Sequence, residues 1–109
     1  MAPELTFFKA MRITLSQAQV TKTTIDRVLG IPNQVWIFGS RANDHQQGGD
    51  IDLLVETERV IPNRAEAICR LHGALTMALG ERRLDLILKD ARTGEAPIFE
   101  IARRTGVML

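Results

Sequence analysis

Apolar positions along this 109-residue chain follow two periods, and the alternation between them sets out its elements. Val20, Ile25, Val28 and Leu29 recur at helical spacing, which predicts an amphipathic helix. Ser16-Gln17-Ala18-Gln19 has the form of a capping box for it, with Leu15 and Val20 set for a hydrophobic staple. Gly30-Ile31-Pro32 reads as a glycine cap followed by a proline stop. Threonines 21, 23 and 24 lower helix propensity, so packing has to support this segment. Val35-Trp36-Ile37-Phe38 is a continuous apolar run, suited to a strand buried on both faces. Ile51–Glu56 and residues 84–88 read as two further strands. Between them, Arg64–Leu79 is predicted helical, capped by Asn63 with Glu66 three residues on and closed by Gly80. Residues 96–104 read as a short helix ending near Gly106, and Val107-Met108-Leu109 as a last strand.

Helices interleaved with apolar strands predict an α/β or α+β fold, a mixed β-sheet flanked by helices. The length favours a single domain over residues 1–109, with 1–15 an N-terminal arm. In that arm Leu5, Phe7, Phe8 and Met11 form either an apolar helix face or a packing surface. With 45% hydrophobic and 25% charged residues the chain is expected to fold rather than stay disordered. No apolar run approaches the ~20 residues of a membrane span, so no membrane association is expected. The start lacks the pattern of a signal peptide. A lone cysteine, Cys69, rules out an internal disulfide and fits a reducing cytoplasm. With only His45 and His72 beside it, zinc has too few soft ligands. A net charge of +1 supplies no basic stripe for nucleic acid. The distribution of charge changes the picture more than its sum. From Asn43 to Glu58 the chain carries Asp44, Asp50, Asp52, Glu56 and Glu58 and no lysine or arginine. Such a cluster repels itself unless it is spread through solvent or answered by cations.

Gly39-Ser40 follows the first apolar run and leads into Arg41. At the start of a helix, unpaired N–H groups, a glycine and a hydroxyl together suit a phosphate, although Ser40 taken alone reads better as a plain N-cap. Asp50 and Asp52 stand two apart at the start of a strand, which puts both carboxylates on one face. That arrangement suits Mg²⁺, which takes one or two carboxylates together with phosphate oxygens; a turn with a solvent-facing Asp52 is the plain alternative. Asp85 lies inside Leu84-Asp85-Leu86-Ile87-Leu88, where a charge needs a partner. If its strand neighbours that of Asp52, the three carboxylates share a rim; otherwise Asp85 pairs with Arg82 or Arg83.

Taken together, Gly39-Ser40-x-Ala42, Gly49-Asp50-x-Asp52-Leu53 and Asp85 in an apolar strand resemble the polymerase-β-type nucleotidyltransferase family. The resemblance is to its minimal nucleotidyltransferases, small proteins often encoded beside a HEPN-domain partner. The ending, Ile101 to Leu109, is also similar to the helix, glycine and strand that close them. The resemblance implies roles. Gly39 and Ser40, with Arg41 nearby, would hold the phosphates of ATP, and Asp50, Asp52 and Asp85 would hold two Mg²⁺ ions. Asp85 would also take the acceptor's proton, so that AMP moves to the acceptor and pyrophosphate leaves. With no second domain and no basic stripe, the acceptor is expected to be a protein hydroxyl. The resemblance suggests a tyrosine of a HEPN-type ribonuclease toxin, with this chain as antitoxin, in an assembly with that partner or a second copy. A rival reading is an antitoxin that acts by contact alone, and a third is a nucleotide-binding module. His72 and Cys69 read as buried residues of the middle helix, His45 as a solvated loop residue, and Arg82-Arg83 and Arg103-Arg104 as solvated faces.

Overall fold

A computed structural model describes residues 13–38, 51–80 and 82–109. The first helix, α1 (Leu15–Leu29), starts two residues earlier than its sequence signature suggests. Thr14 Oγ1 accepts the Gln17 N–H at 3.0 Å, and Gln17 Oε1 accepts the Thr14 N–H at 2.9 Å. Ile13 and Ala18, which flank that box, are both buried and supply the staple. The inward stripe is Ala18, Thr21, Thr24 and Ile25, while Leu15 and Val20 are each 38% exposed. Reading Val20 as the start of the stripe is therefore corrected. A threonine methyl packs as apolar surface once its hydroxyl is satisfied, and Thr21 Oγ1 donates to the Gln17 carbonyl at 2.8 Å. Gly30 closes α1 at φ 68, the left-handed region that glycine enters freely.

Strands β1 (Gln34–Phe38), β2 (Ile51–Glu56), β3 (Leu84–Lys89) and β4 (Val107–Met108) form one mixed sheet in the order β3-β2-β1-β4. β1 runs antiparallel to β2 and β4, and β2 runs parallel to β3. The parallel pair needs a crossover, which α2 (Arg64–Leu79) provides, and α3 (Pro97–Thr105) joins β3 to β4. The fold is α+β, a mixed sheet with helices on both faces, as the sequence pattern predicts. Among the described residues no helix is long and apolar enough to cross a membrane.

Odd-numbered residues of β1 and β2 face one way: Val35, Ile37, Ile51, Leu53 and Val55 pack with Ile25 of α1 and with Leu71 and Leu75 of α2. Burying each large side chain there contributes roughly 1.5–3 kcal/mol. On the other face Phe38 and Leu54 pack under Phe99 and Ala102 of α3, with Trp36 and Ile87 at the margin. The inner row of α2 is Ala67, Leu71 and Leu75, at steps of four. His72 follows Leu71 by one residue, about 100° around the helix, and is exposed, as is Cys69. The sequence reading of both as buried is corrected.

Among the described residues β3 is an edge strand. Ile51 N–H donates to the Arg83 carbonyl and Thr57 N–H to the Lys89 carbonyl, so odd residues of β3 serve β2 and even ones point their backbone outward. Two of those outward carbonyls meet side chains of α2. Arg64 Nη2 donates to the Leu88 carbonyl at 2.7 Å, and His72 Nε2 lies 3.3 Å from the Leu84 carbonyl oxygen.

Candidate functional site

Strand register sets the site. Phe38 pairs with Asp52 and Asp52 with Asp85, so the three form one row across β1, β2 and β3. Register partners project from the same face, and neighbouring strands lie about 4.8 Å apart. Asp52 and Asp85 are therefore side by side at the amino-terminal ends of two parallel strands, on the face that carries α3. A second row holds Trp36, Leu54 and Ile87, and a third holds Gln34, Glu56 and Lys89. Helix α3 covers the second row through Phe99 and Ala102. It binds the third row through Arg103, whose Nε and Nη2 reach Glu56 at 3.1 and 2.8 Å. Of the two acidic side chains in the first row, Asp85 is exposed and Asp52 half-buried.

Two carboxylates about 5 Å apart repel by roughly 0.8 kcal/mol in water and roughly 3 kcal/mol at an effective dielectric near 20. Their hard oxygens fit Mg²⁺, which uses one or two carboxylates and completes its shell with water and phosphate oxygens. Among the described residues no group of three metal-ligating side chains occurs. Gly39, Ser40, Arg41 and Asp50 lie outside the described residues, as does His45. In the sequence Gly39-Ser40 directly follows Phe38, and Asp50 directly precedes Ile51.

The opposite end of the face is ionic and internally matched. Arg103 also donates to Glu95 at 3.2 Å, and the Lys89 ammonium lies 5.7 Å from the centroid of the Phe99 ring. Bonds to Glu56 first, and then to Glu95, hold the Arg103 guanidinium further above its usual range. Bonding to Arg103 lowers Glu95 in turn. Reading the Arg103-Arg104 pair as a solvated face is thus corrected for Arg103; the signal was its position four residues after the buried Phe99. Beyond this end a groove of about 910 Å³ opens, lined among others by Glu56, Glu58, Arg59 and Lys89. It lies at the carboxyl ends of β2 and β3, away from Asp52 and Asp85. Glu56 and Lys89 are already engaged with α3 or the loop before it. The carboxylate row stands at the other end of the face, at the amino ends of the same two strands.

Asp90, just past β3, is 1% exposed. Its carboxylate accepts the Ile61 N–H at 2.8 Å, the Arg92 N–H at 3.0 Å and the Thr93 hydroxyl at 2.9 Å. These bonds, the one from Ile61 first, hold its carboxyl below the usual carboxylate range against the opposing effect of burial. Sequence reading passed over this residue, because nothing in its composition separates a buried strut from a turn aspartate.

No family model matches the chain, and comparison with curated proteins finds no match.

Proposed function

We propose that the Asp52–Asp85 row belongs to a nucleotidyltransferase centre that moves AMP from ATP to a hydroxyl of a protein. The supporting observation is the register. Two carboxylates from separate segments are direct neighbours on one face, beside the strand end that leads into Gly39-Ser40. Asp52 and Asp50 would hold Mg²⁺, with Asp85 completing the set on its exposed side. When bound, the two ions stabilise the attacking and leaving oxygens of an in-line displacement.

The chain's own groups divide the remaining work. Gly39 and Ser40 hold the β- and γ-phosphates, with Arg41 beside them. Asp85, open to solvent, accepts the proton of the incoming hydroxyl, which needs a base within hydrogen-bond reach. The acceptor oxygen bonds to the α-phosphorus, the bond to the bridging oxygen of pyrophosphate breaks, and the charge leaves with pyrophosphate. Phe38, beside Asp52 and only 6% exposed, shields that carboxylate on its β1 side. The acceptor in this reading is a tyrosine of a HEPN-type ribonuclease toxin, and the chain is its antitoxin.

The test incubates the purified protein with the HEPN-type product of a neighbouring reading frame, ATP and Mg²⁺, and weighs that product by mass spectrometry. A gain of one AMP less water, abolished in Asp52→Asn, is the expected result. A tight complex of unmodified mass, undiminished by that substitution, would instead identify an antitoxin that acts by contact alone.

A further inference from the structure

Gly106 has φ −95 and ψ −179, an extended conformation open to any residue. Its backbone asks for no glycine; its surroundings do. A Cβ there would lie 2.5 Å from the Ala102 carbonyl oxygen, 2.6 Å from the Ile37 carbonyl oxygen and 3.0 Å from Phe38 Cβ. At Gly73 and Gly94 an added Cβ would meet nothing within 4 Å. The corner between α3 and β4 is thus seated directly on the last two residues of β1. Backbone bonds fix that seat from both sides. Gly106 N–H donates to the Ala102 carbonyl at 2.9 Å, and Val107 is in register with Ile37. Across β1, Ile37 is in register with Leu53 and Phe38 with Asp52.

We propose that Gly106 is a positioning residue for the Asp52–Asp85 pair, its missing side chain setting how closely the α3–β4 corner holds the end of β1. The functional half of this inference rests on the nucleotidyl-transfer reading. Moving the Ile37 oxygen from 2.6 Å to the ordinary contact of 3.4 Å displaces the end of β1 or the corner itself. A displaced β1 carries Asp52 with it through the ladder. Asp85, on β3, is separated from β1 by β2 and is less affected. The two carboxylates then lose their relative placement, and a misplacement of about 1 Å costs on the order of 10²-fold in rate.

The experiment compares Gly106→Ala with Gly73→Ala, at a temperature where melts show each variant folded. One readout is the backbone amide map by NMR, and the other is Mg²⁺-dependent nucleotidyl transfer. The expected result for Gly106→Ala is altered amide signals at Phe38, Leu53 and Asp52 with Leu88 and Lys89 unchanged. Its kcat/KM should fall on the order of 10²-fold. Gly73→Ala should match the wild type in both. Changes confined to α3 and β4, or wild-type kcat/KM in a folded Gly106→Ala, would overturn the proposal. Should Gly106→Ala fail to fold, Val107→Ala keeps the glycine and thins the β4 side of the same corner, opposite Ile37; altered Phe38 and Asp52 signals with reduced turnover support the proposal, and wild-type behaviour overturns it. If the wild-type protein transfers nothing, the nucleotidyl-transfer reading fails by itself, and the amide map alone decides the role of Gly106.

Discussion

Replacing Asp85 by asparagine separates the electrostatic and chemical consequences of the carboxylate row. Asp85 and Asp52 are register partners on one face, and like charges directly opposite in a sheet are destabilising by up to about 1 kcal/mol. Coulomb's law at about 5 Å in water gives roughly 0.8 kcal/mol, the appropriate limit for the exposed Asp85. In chelator, Asp85→Asn should therefore melt at or above the wild type. A gain of about 0.8 kcal/mol corresponds to roughly 3–6 °C in a domain of this size. Because Asp85 is exposed to solvent, the effect should shrink as ionic strength rises. Mg²⁺ should reverse the order. Binding at ten times Kd stabilises the wild type by about 1.4 kcal/mol, or roughly 6–11 °C, and the variant by less, because a ligand oxygen has lost its charge. The chain has one tryptophan, Trp36, and no tyrosine, so its fluorescence reports unfolding beside the site. Two outcomes refute the reasoning: an Asp85→Asn protein clearly less stable than wild type in chelator, or one whose Mg²⁺ response equals the wild type's.

Asp90→Ala removes three hydrogen bonds to a buried carboxylate and should cost about 3–5 kcal/mol, read as a chemical-denaturation midpoint shift. Since the folded carboxyl is lowered, its contribution is complete above the unfolded value near 3.9 and fades as pH falls through the lower folded value; the gap between wild type and Asp90→Ala should narrow only below about pH 4. Thr14→Ala should cost about 1 kcal/mol and Ser16→Ala close to nothing, because the capping box begins at Thr14; melts of the pair that reversed this order would refute the assignment.

Strands β1 and β2 were legible because residue type and burial agree where it matters: residues 35–38 and 53–55 are unbroken apolar runs that pack against the helices on either face. Helix α2 was legible for a local reason, since Asn63 and Gly80 are capping residues whose chemistry acts at the position they occupy. The face of α1 was harder. Its inward stripe is half threonine, and a threonine's burial depends on whether a backbone carbonyl is within reach of its hydroxyl. Part of the candidate site could be read in advance, because Asp52 and Asp85 each stand out within an apolar strand. Their adjacency depends on strand order and on the register of β2 against β3, which no local pattern carries. The partner of Arg103 was hidden similarly: Glu56 is 47 residues away in sequence and becomes a neighbour only when α3 crosses the sheet.

The side chains of α2 along the rim of β3 bear on self-association. An edge strand offers its free amides and carbonyls to any passing extended chain, and natural sheets blunt such rims with charge or cover. Here the blunting comes from the crossover helix itself, through the guanidinium of Arg64 near one end of the strand and the imidazole of His72 near the other. The guard and the crossover are one segment, so fraying of α2 would bare the rim before the sheet itself comes apart. The partly opened protein, rather than the fully unfolded one, would then be the form most prone to template aggregation.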